Sequence, residues 1–201
     1  KAGFRVLKKE LAFGNTDIFI TAAKAIIHQD ESGDFSAEVA YTREDFQALY
    51  KLRFEAYCRE MESLVAKDYP SGEERDSFDD YSVHFILRKK GEIIGTLRLI
   101  RDTPQGFLME ESFSFPKQRN RLFLLEASRI IIRKGLRGKR LLHLLCNAGE
   151  LWSKEHGYTR WCLACQTSLI PTLEEGGWKI ERLGPEIKYH NAYVTPLLRT
   201  L

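Results

Sequence analysis

Residues 122–132 (LFLLEASRIII), 133–140 (RKGLRGKR) and 141–154 (LLHLLCNAGELWSK) follow one another without a break, and their succession decides the fold. The first is an almost unbroken apolar run that still contains Glu126, Ser128 and Arg129. The second is a short basic link punctuated by glycine. In the third the apolar period turns helical, through Leu141, Leu142, Leu144, Leu145, Ala148, Leu151 and Trp152. A buried strand that turns through a basic glycine loop into a helix aims backbone N–H groups at whatever occupies the turn. The helix N-terminus there favours negative charge, phosphate above all.

Outward from this stretch, the 201 residues have room for one large core, and 43% hydrophobic with 29% charged residues is ordinary for a globular chain. No apolar run reaches membrane-spanning length and no signal-peptide pattern opens the chain, so a cytoplasmic protein without a membrane span is expected. Net charge is only +3, yet six of the twelve residues from Arg129 to Arg140 are Arg or Lys. Such a patch suits an acidic partner or a phosphate. No aromatic platform or recognition helix accompanies it, so nucleic acid is not expected. Cys58, Cys146, Cys162 and Cys165 read as structural thiols of a reducing compartment. His84, His143 and His190 lack metal-ligand spacing, and no metal is expected.

Along the chain, Asn15, Thr16 and Asp17 are cap residues for a first helix striped by Ile18, Ala22, Ile26 and Ile27. Residues 35–41 alternate as a strand. Thr42 and Asp45 form a capping box for a helix whose stripe is Phe46, Leu49, Tyr50, Phe54, Tyr57 and Met61. Arg53 falls inside that stripe, where it must snorkel or meet a carboxylate. Residues 68–80 form a polar loop with Asp76 and Asp79. A hairpin follows, strands 83–88 and 93–100 around a Lys-Lys-Gly-Glu turn, with Arg98 on the second strand. Residues 103–120 read as an irregular cover. Gly157 ends the long helix, and 158–164 is a strand. Residues 169–175 are a short helix, and 178–183 and 189–198 are final strands, Pro196 marking an edge.

This order of elements resembles the GCN5-related N-acetyltransferase (GNAT) fold: an α/β (α+β) domain with a central mixed sheet flanked by helices. The whole of 1–201 is expected to be one such acyltransferase domain, 1–40 an extension and 41–201 the core. Arg53 and Tyr57 in LRFEAY, Asp76 and Asp79 in D-x-x-D, Arg98 in G-x-x-R-L, and Glu126 and Arg129 in E-x-x-R stand in the order of the acyl-homoserine-lactone synthases. DDYSVHFIL followed by GTLRLI is more similar to the long-chain N-acyl amino acid synthases of the FeeM type. That resemblance implies transfer of a long fatty acyl chain from acyl carrier protein to the α-amine of an amino acid, tyrosine first, giving a membrane-active lipid. GNAT enzymes carry R-G-x-G-x-G/A at the pyrophosphate turn. Here Arg137-Gly138-Lys139 continues as Arg140, Leu141 and Leu142, bulk that suits the single phosphate of a carrier's phosphopantetheine arm better than coenzyme A.

Making an amide from a thioester requires a deprotonated amine, a stabilised oxyanion and two reactants held together, with no covalent intermediate. Glu126 is the candidate base or amine ligand, direct or through water. Arg129 and Ser128 share its strand, Ser128 not as nucleophile. Residues three apart on a regular strand face opposite ways, so a bulge near 127–130 is expected to bring Glu126 and Arg129 together and to splay the strand. Arg53, Asp76, Asp79 and Arg98 are assigned to the amino acid substrate, an arginine gripping its carboxylate, or alternatively to a scaffold of ion pairs. Arg133, Lys134, Arg137, Gly138, Lys139 and Arg140 are assigned to the phosphopantetheine of the acyl carrier, a co-substrate rather than a permanent cofactor. The lid at 107–115, with 122–124, lines an acyl tunnel or is ordinary core. The competing readings are an acyl-homoserine-lactone synthase using S-adenosylmethionine, and a module that binds acyl carrier without turnover.

Overall fold

The structure, a computed structural model, describes residues 33–114, 121–189 and 191–201, with the backbone of three two-residue strands before them. Val6–Leu7 (β1) pairs antiparallel with Ala25–Ile26 (β2), and His28–Gln29 (β3) joins the main sheet. The first helix expected from Asn15 lies largely outside the described residues. Where its stripe is described, at Ala25–Ile26, the chain is extended instead, its N–H and C=O groups taken by β1. His190 also lies outside them.

The remaining elements are β4 (Phe35–Val39), α1 (Arg43–Phe54), β5 (Ser82–Lys89), β6 (Glu92–Ile100) and β7 (Leu124–Ile132), then α2 (Lys139–Glu155), β8 (Arg160–Gln166) and α3 (Ile170–Glu175). Strands β9 (Lys179–Arg182), β10 (Ile187–Tyr189) and β11 (Ala192–Thr200) complete the sheet. Its order is β10-β11-β8-β7-β6-β5-β4-β3, with β9 also on β11. Every pairing in it is antiparallel except β7 with β8, which α2 connects as a crossover.

Local chemistry explains these boundaries. Thr42 Oγ1 accepts the Asp45 N–H at 3.0 Å and the Asp45 carboxylate accepts the Thr42 N–H at 3.3 Å, the expected capping box. Lys90 (φ 49°) and Gly91 (φ 90°) make the tight β5–β6 turn. Gly157, at φ 81°, takes the left-handed position past α2. The region read as one last strand, 189–198, is a hairpin of β10 and β11. Pro196 sits on β11 between two neighbours rather than at an edge. Its carbonyl accepts the Leu183 N–H at 2.8 Å. A residue's N–H and C=O leave a strand on the same side, so the N–H that proline lacks faces the gap between β10 and β9.

Alternation buries the sheet on both faces. Phe85 and Leu87 face α2, whose Leu141, Leu144, Leu145, Ala148 and Trp152 pack there with Leu97, Leu125 and Trp161. Ile86, between them, faces α1 and packs with Leu49, Leu52, Ile93 and Ile131. Each fully buried leucine or isoleucine contributes roughly 1.5–3 kcal/mol, so these layers fix the strands that carry the site. At the centre β6 and β7 run close. A Cβ on Gly95 would lie 2.9 Å from the Ile131 carbonyl oxygen, which is why G-x-x-R-L opens with glycine.

The expected bulge is present. Thr96 pairs with Ile131 and Arg98 with Ser128, so two steps on β6 answer three on β7. The extra residue falls at Arg129, whose φ of 52° is left-handed. On its other side β7 pairs with β8 only from Leu124 to Glu126, and past Glu126–Cys162 the strands part. Among the described residues no helix is long and apolar enough to cross a membrane.

Candidate functional site

Glu126 stands where β7 and β8 separate. It is 2% exposed, and both carboxylate oxygens accept the Met109 N–H, at 3.1 and 3.2 Å. Met109 belongs to a helical turn, Leu108–Glu111, in the segment expected to cover the site. Burial pushes the Glu126 carboxyl up to about 7, against the Met109 N–H and the charges of Arg98 and Arg129. A carboxyl that is half ionised near neutrality can take a proton from an ammonium group and give it up again. Beside it Phe107, Met109, Leu124, Cys162 and Leu198 form a small apolar cluster. The lid and strand residues expected to line an acyl path therefore divide. Phe107, Met109 and Leu124 pack inward near Glu126, while Leu122 and Phe123 are exposed.

Behind the bulge lies a balanced set of three arginines and three carboxylates. Arg53 binds Glu74 and holds Asp79 through two contacts, 2.7 and 3.2 Å. Arg98 donates to Ser128 Oγ at 2.9 Å, to Asp76 at 2.5 Å and to Asp79 at 2.8 Å. Arg129 reaches Glu74 and Asp76, each at 2.8 Å, through Nη2, and lies over the Tyr57 ring. The bulge thus turns Arg129 to the face that already carries Arg98, Ser128 and Glu126. Burial would raise the carboxyls of Glu74 and Asp79, but the arginines overcome it and hold both below the ordinary range. His84 completes the pocket as a neutral ring, burial pushing it down to about 4. It lies edge-on to Phe46 and Tyr50.

These contacts bear on the residues assigned to the amino acid substrate. Arg53 and Arg98 are 0% exposed and meet carboxylates of the chain itself, as a scaffold of ion pairs requires, although Arg98 Nη2 is buried without a hydrogen-bond partner among the described residues. The arginine with an open edge is Arg129. Its side chain is 16% exposed, and its Nη1 makes no hydrogen bond among the described residues. Sequence reasoning missed Glu74. With Glu126 set aside as the base, Arg53, Arg98 and Arg129 outnumber Asp76 and Asp79 by one, a hint of a further carboxylate that does not single out Glu74 from Glu73 or Asp80. It also missed the Met109 N–H, a backbone donor with no signature in side chains.

The basic turn leads into α2 at Gly138, with no side-chain cap. Its cations are largely matched already: Arg133 with Glu92 at 2.6 Å, Arg137 with Glu60 at 2.6 Å, and Lys139 with Glu175. Lys134 makes no such pair among the described residues, and Arg140 lies over the Phe35 ring. Leu141 and Leu142, expected to crowd the turn, pack against the core beneath it. Between this turn and the end of α1 runs an open groove of about 270 Å³. Leu52, Ala56, Ile131 and Ile132 make its apolar wall, and Arg59, Arg133 and Lys134, with Glu55 and Glu60, its charged rim. All four cysteines are buried free thiols, and no cluster of acids, histidines and cysteines among the described residues is arranged for a metal.

Residues 52–147 match the profile of the acetyltransferase (GNAT) domain. The region holds the bulged strand, the basic turn and the start of α2. The fold is that of the GNAT acyltransferases. Solved structures with this GNAT fold include a CoA-dependent acyl-homoserine lactone synthase, BjaI, with SAM and isopentyl-CoA. It is 24% identical with a TM-score of 0.67 over 79% of this chain and 77% of that one. The acyl-homoserine lactone synthase LasI is 15% identical with a TM-score of 0.68, over 83% and 89% of the two chains. A putative N-acetyltransferase from Lactobacillus plantarum is 18% identical with a TM-score of 0.59, over 83% and 98%. No curated protein sequence matches the chain.

Proposed function

We propose that this chain is an N-acyltransferase that moves a long acyl group from the phosphopantetheine thioester of acyl carrier protein to the α-amine of an amino acid, with tyrosine the first acceptor. The observation that carries the reading is Glu126, a buried carboxyl raised to about 7 at the point where β7 and β8 part. The donor's arm lies along the groove beside β7, its apolar length on Ile131 and Ile132 and its phosphate toward Arg133, Lys134, Arg137 and the first turn of α2. The acyl chain runs toward Phe107, Met109 and Leu124. The acceptor's carboxylate lies on the open edge of Arg129, and Glu126 takes the ammonium proton, through water while the Met109 turn is closed. The free amine attacks the thioester carbonyl, and the thiol leaves as the amide forms. Unpaired backbone at the bulge faces the developing oxyanion.

The likeness to BjaI and LasI supports a second reading, an acyl-homoserine-lactone synthase. Its acceptor, S-adenosylmethionine, also presents an α-amine and a carboxylate to Glu126 and Arg129. Mass spectrometry of lipids from a bacterium expressing the chain separates the two. An N-acyl amino acid supports the first reading, and an acyl-homoserine lactone replaces it with the second. No new acylated product, with acyl carrier still bound, leaves the chain as a binding module.

A further inference from the structure

Arg137 is the central cation of the basic turn, yet it is engaged. Its Nη1 and Nη2 close a two-point contact with the Glu60 carboxylate, at 2.6 and 2.7 Å, and its Nε donates to the Ile132 carbonyl at 3.0 Å. Glu60 ends the π-helical turn that continues α1, Glu55–Glu60, and lines the groove beside Ile131 and Ile132. The pair therefore ties the α1 side of the groove to its basic side. The other carboxylates on this turn are different in kind. Glu92 is 65% exposed against Arg133, and Glu175 is 61% exposed against Lys139, where water screens both pairs. Glu60 is 21% exposed, and although Arg137 itself is 45% exposed the two meet in the fork geometry that a phosphate also uses.

We infer that Glu60 is a built-in competitor for the donor's phosphate at Arg137, so that donor binding exchanges a carboxylate for a phosphate oxygen on one guanidinium. The inference rests on the thioester-donor reading above and adds a residue that sets donor affinity. While Glu60 holds Arg137, the two walls of the groove are tied together. When phosphate takes its place, the π-helical turn is released from the basic turn, and the arm can lie along β7. The Glu60 side chain still lines the groove after the exchange, so it also weakens the binding of every anionic group that enters.

The test is binding rather than turnover. Dissociation constants of 4′-phosphopantetheine, and of pantetheine without the phosphate, are measured for the wild-type chain, Glu60→Gln and Glu92→Gln. Glu60→Gln is expected to bind phosphopantetheine about fivefold more tightly, while Glu92→Gln changes it less than about twofold, as screened pairs do. Pantetheine is expected to bind all three alike, and the Glu60→Gln gain to fade at about 0.5 M salt. Unchanged or weaker phosphopantetheine binding by Glu60→Gln overturns the inference, the latter because Glu60 then holds Arg137 ready for phosphate. An equal shift for pantetheine also overturns it. If the wild-type chain and both variants bind neither compound, the donor reading falls and the inference with it. Binding that ignores Glu60 removes the inference alone.

Discussion

Replacing Glu126 by glutamine separates what the fold requires from what the chemistry requires. The carboxyl is raised from 4.5 to about 7, so an ionised Glu126 costs the folded chain roughly 3 kcal/mol, at about 1.4 kcal/mol per pH unit. Between those values the unfolded chain has lost a proton that the folded chain keeps. This group's effect is therefore to lower stability as pH rises from about 4.5 to 7, after which the loss is complete. Glutamine has the same shape, its amide oxygen still accepts the Met109 N–H, and it has no charge to bury. Urea unfolding at pH 5 and pH 8 is the assay, read as the difference between the two proteins. At pH 8 Glu126→Gln is expected to be the more stable by up to about 3 kcal/mol, with most of that advantage gone at pH 5. Turnover is expected to drop about 10²- to 10⁴-fold in the same protein, the usual contribution of a placed base. Parallel stability profiles, or a variant that is less stable at pH 8, refute the claim that a charge is buried there at a cost.

Glu74→Gln leaves the buried Arg53 and Arg98 and the partly exposed Arg129 facing two carboxylates, and breaking such a set costs about 3–5 kcal/mol. For a chain of this size that lowers the melting temperature by about 6–20 °C, and a shift under about 2 °C contradicts the scaffold reading. Because Glu74 and Asp79 are held below the ordinary carboxylate range, their contribution is full above that range and is lost as pH falls from it through their own lowered values. The acid limb of Glu74→Gln is accordingly expected to be flatter than wild type's. Arg129→Lys keeps a charge but loses the fork. The KM for the amino acid is expected to rise roughly 10- to 100-fold with the donor's KM unchanged, and steady-state kinetics showing an unaltered acceptor KM removes Arg129 from the acceptor site.

The fold was legible because its signals are local. The change of period from residues 122–132 to 141–154, the Thr42–Asp45 cap, the Lys90-Gly91 turn and Gly157 each act over a few residues. Even the bulge could be inferred, since Glu126 and Arg129 had to share a face. What resisted reading depends on partners distant in sequence. Glu74 lies 55 residues from Arg129. Glu60, 77 residues from Arg137, turns an apparent phosphate patch into a set of ion pairs. Pro196 suggested an edge, and only the split between β9 and β10 shows how an interior strand accommodates it.

The cluster and the bulge sustain each other. A left-handed residue with a side chain costs about 1–2 kcal/mol, and the pairs that Arg129 makes with Glu74 and Asp76 from this conformation offset that cost. Conversely, Glu74 sits between Arg53 and Arg129, so a regular β7 would leave it and Asp76 each short of one cation. The same bulge stops pairing with β8 beyond Glu126 and opens the strand's edge. The ion pairs thus hold the one irregularity that turns Arg129 to the face that carries Glu126. Substitutions in the set should therefore alter stability and turnover together, whereas a change at Glu126 should move the two in opposite directions.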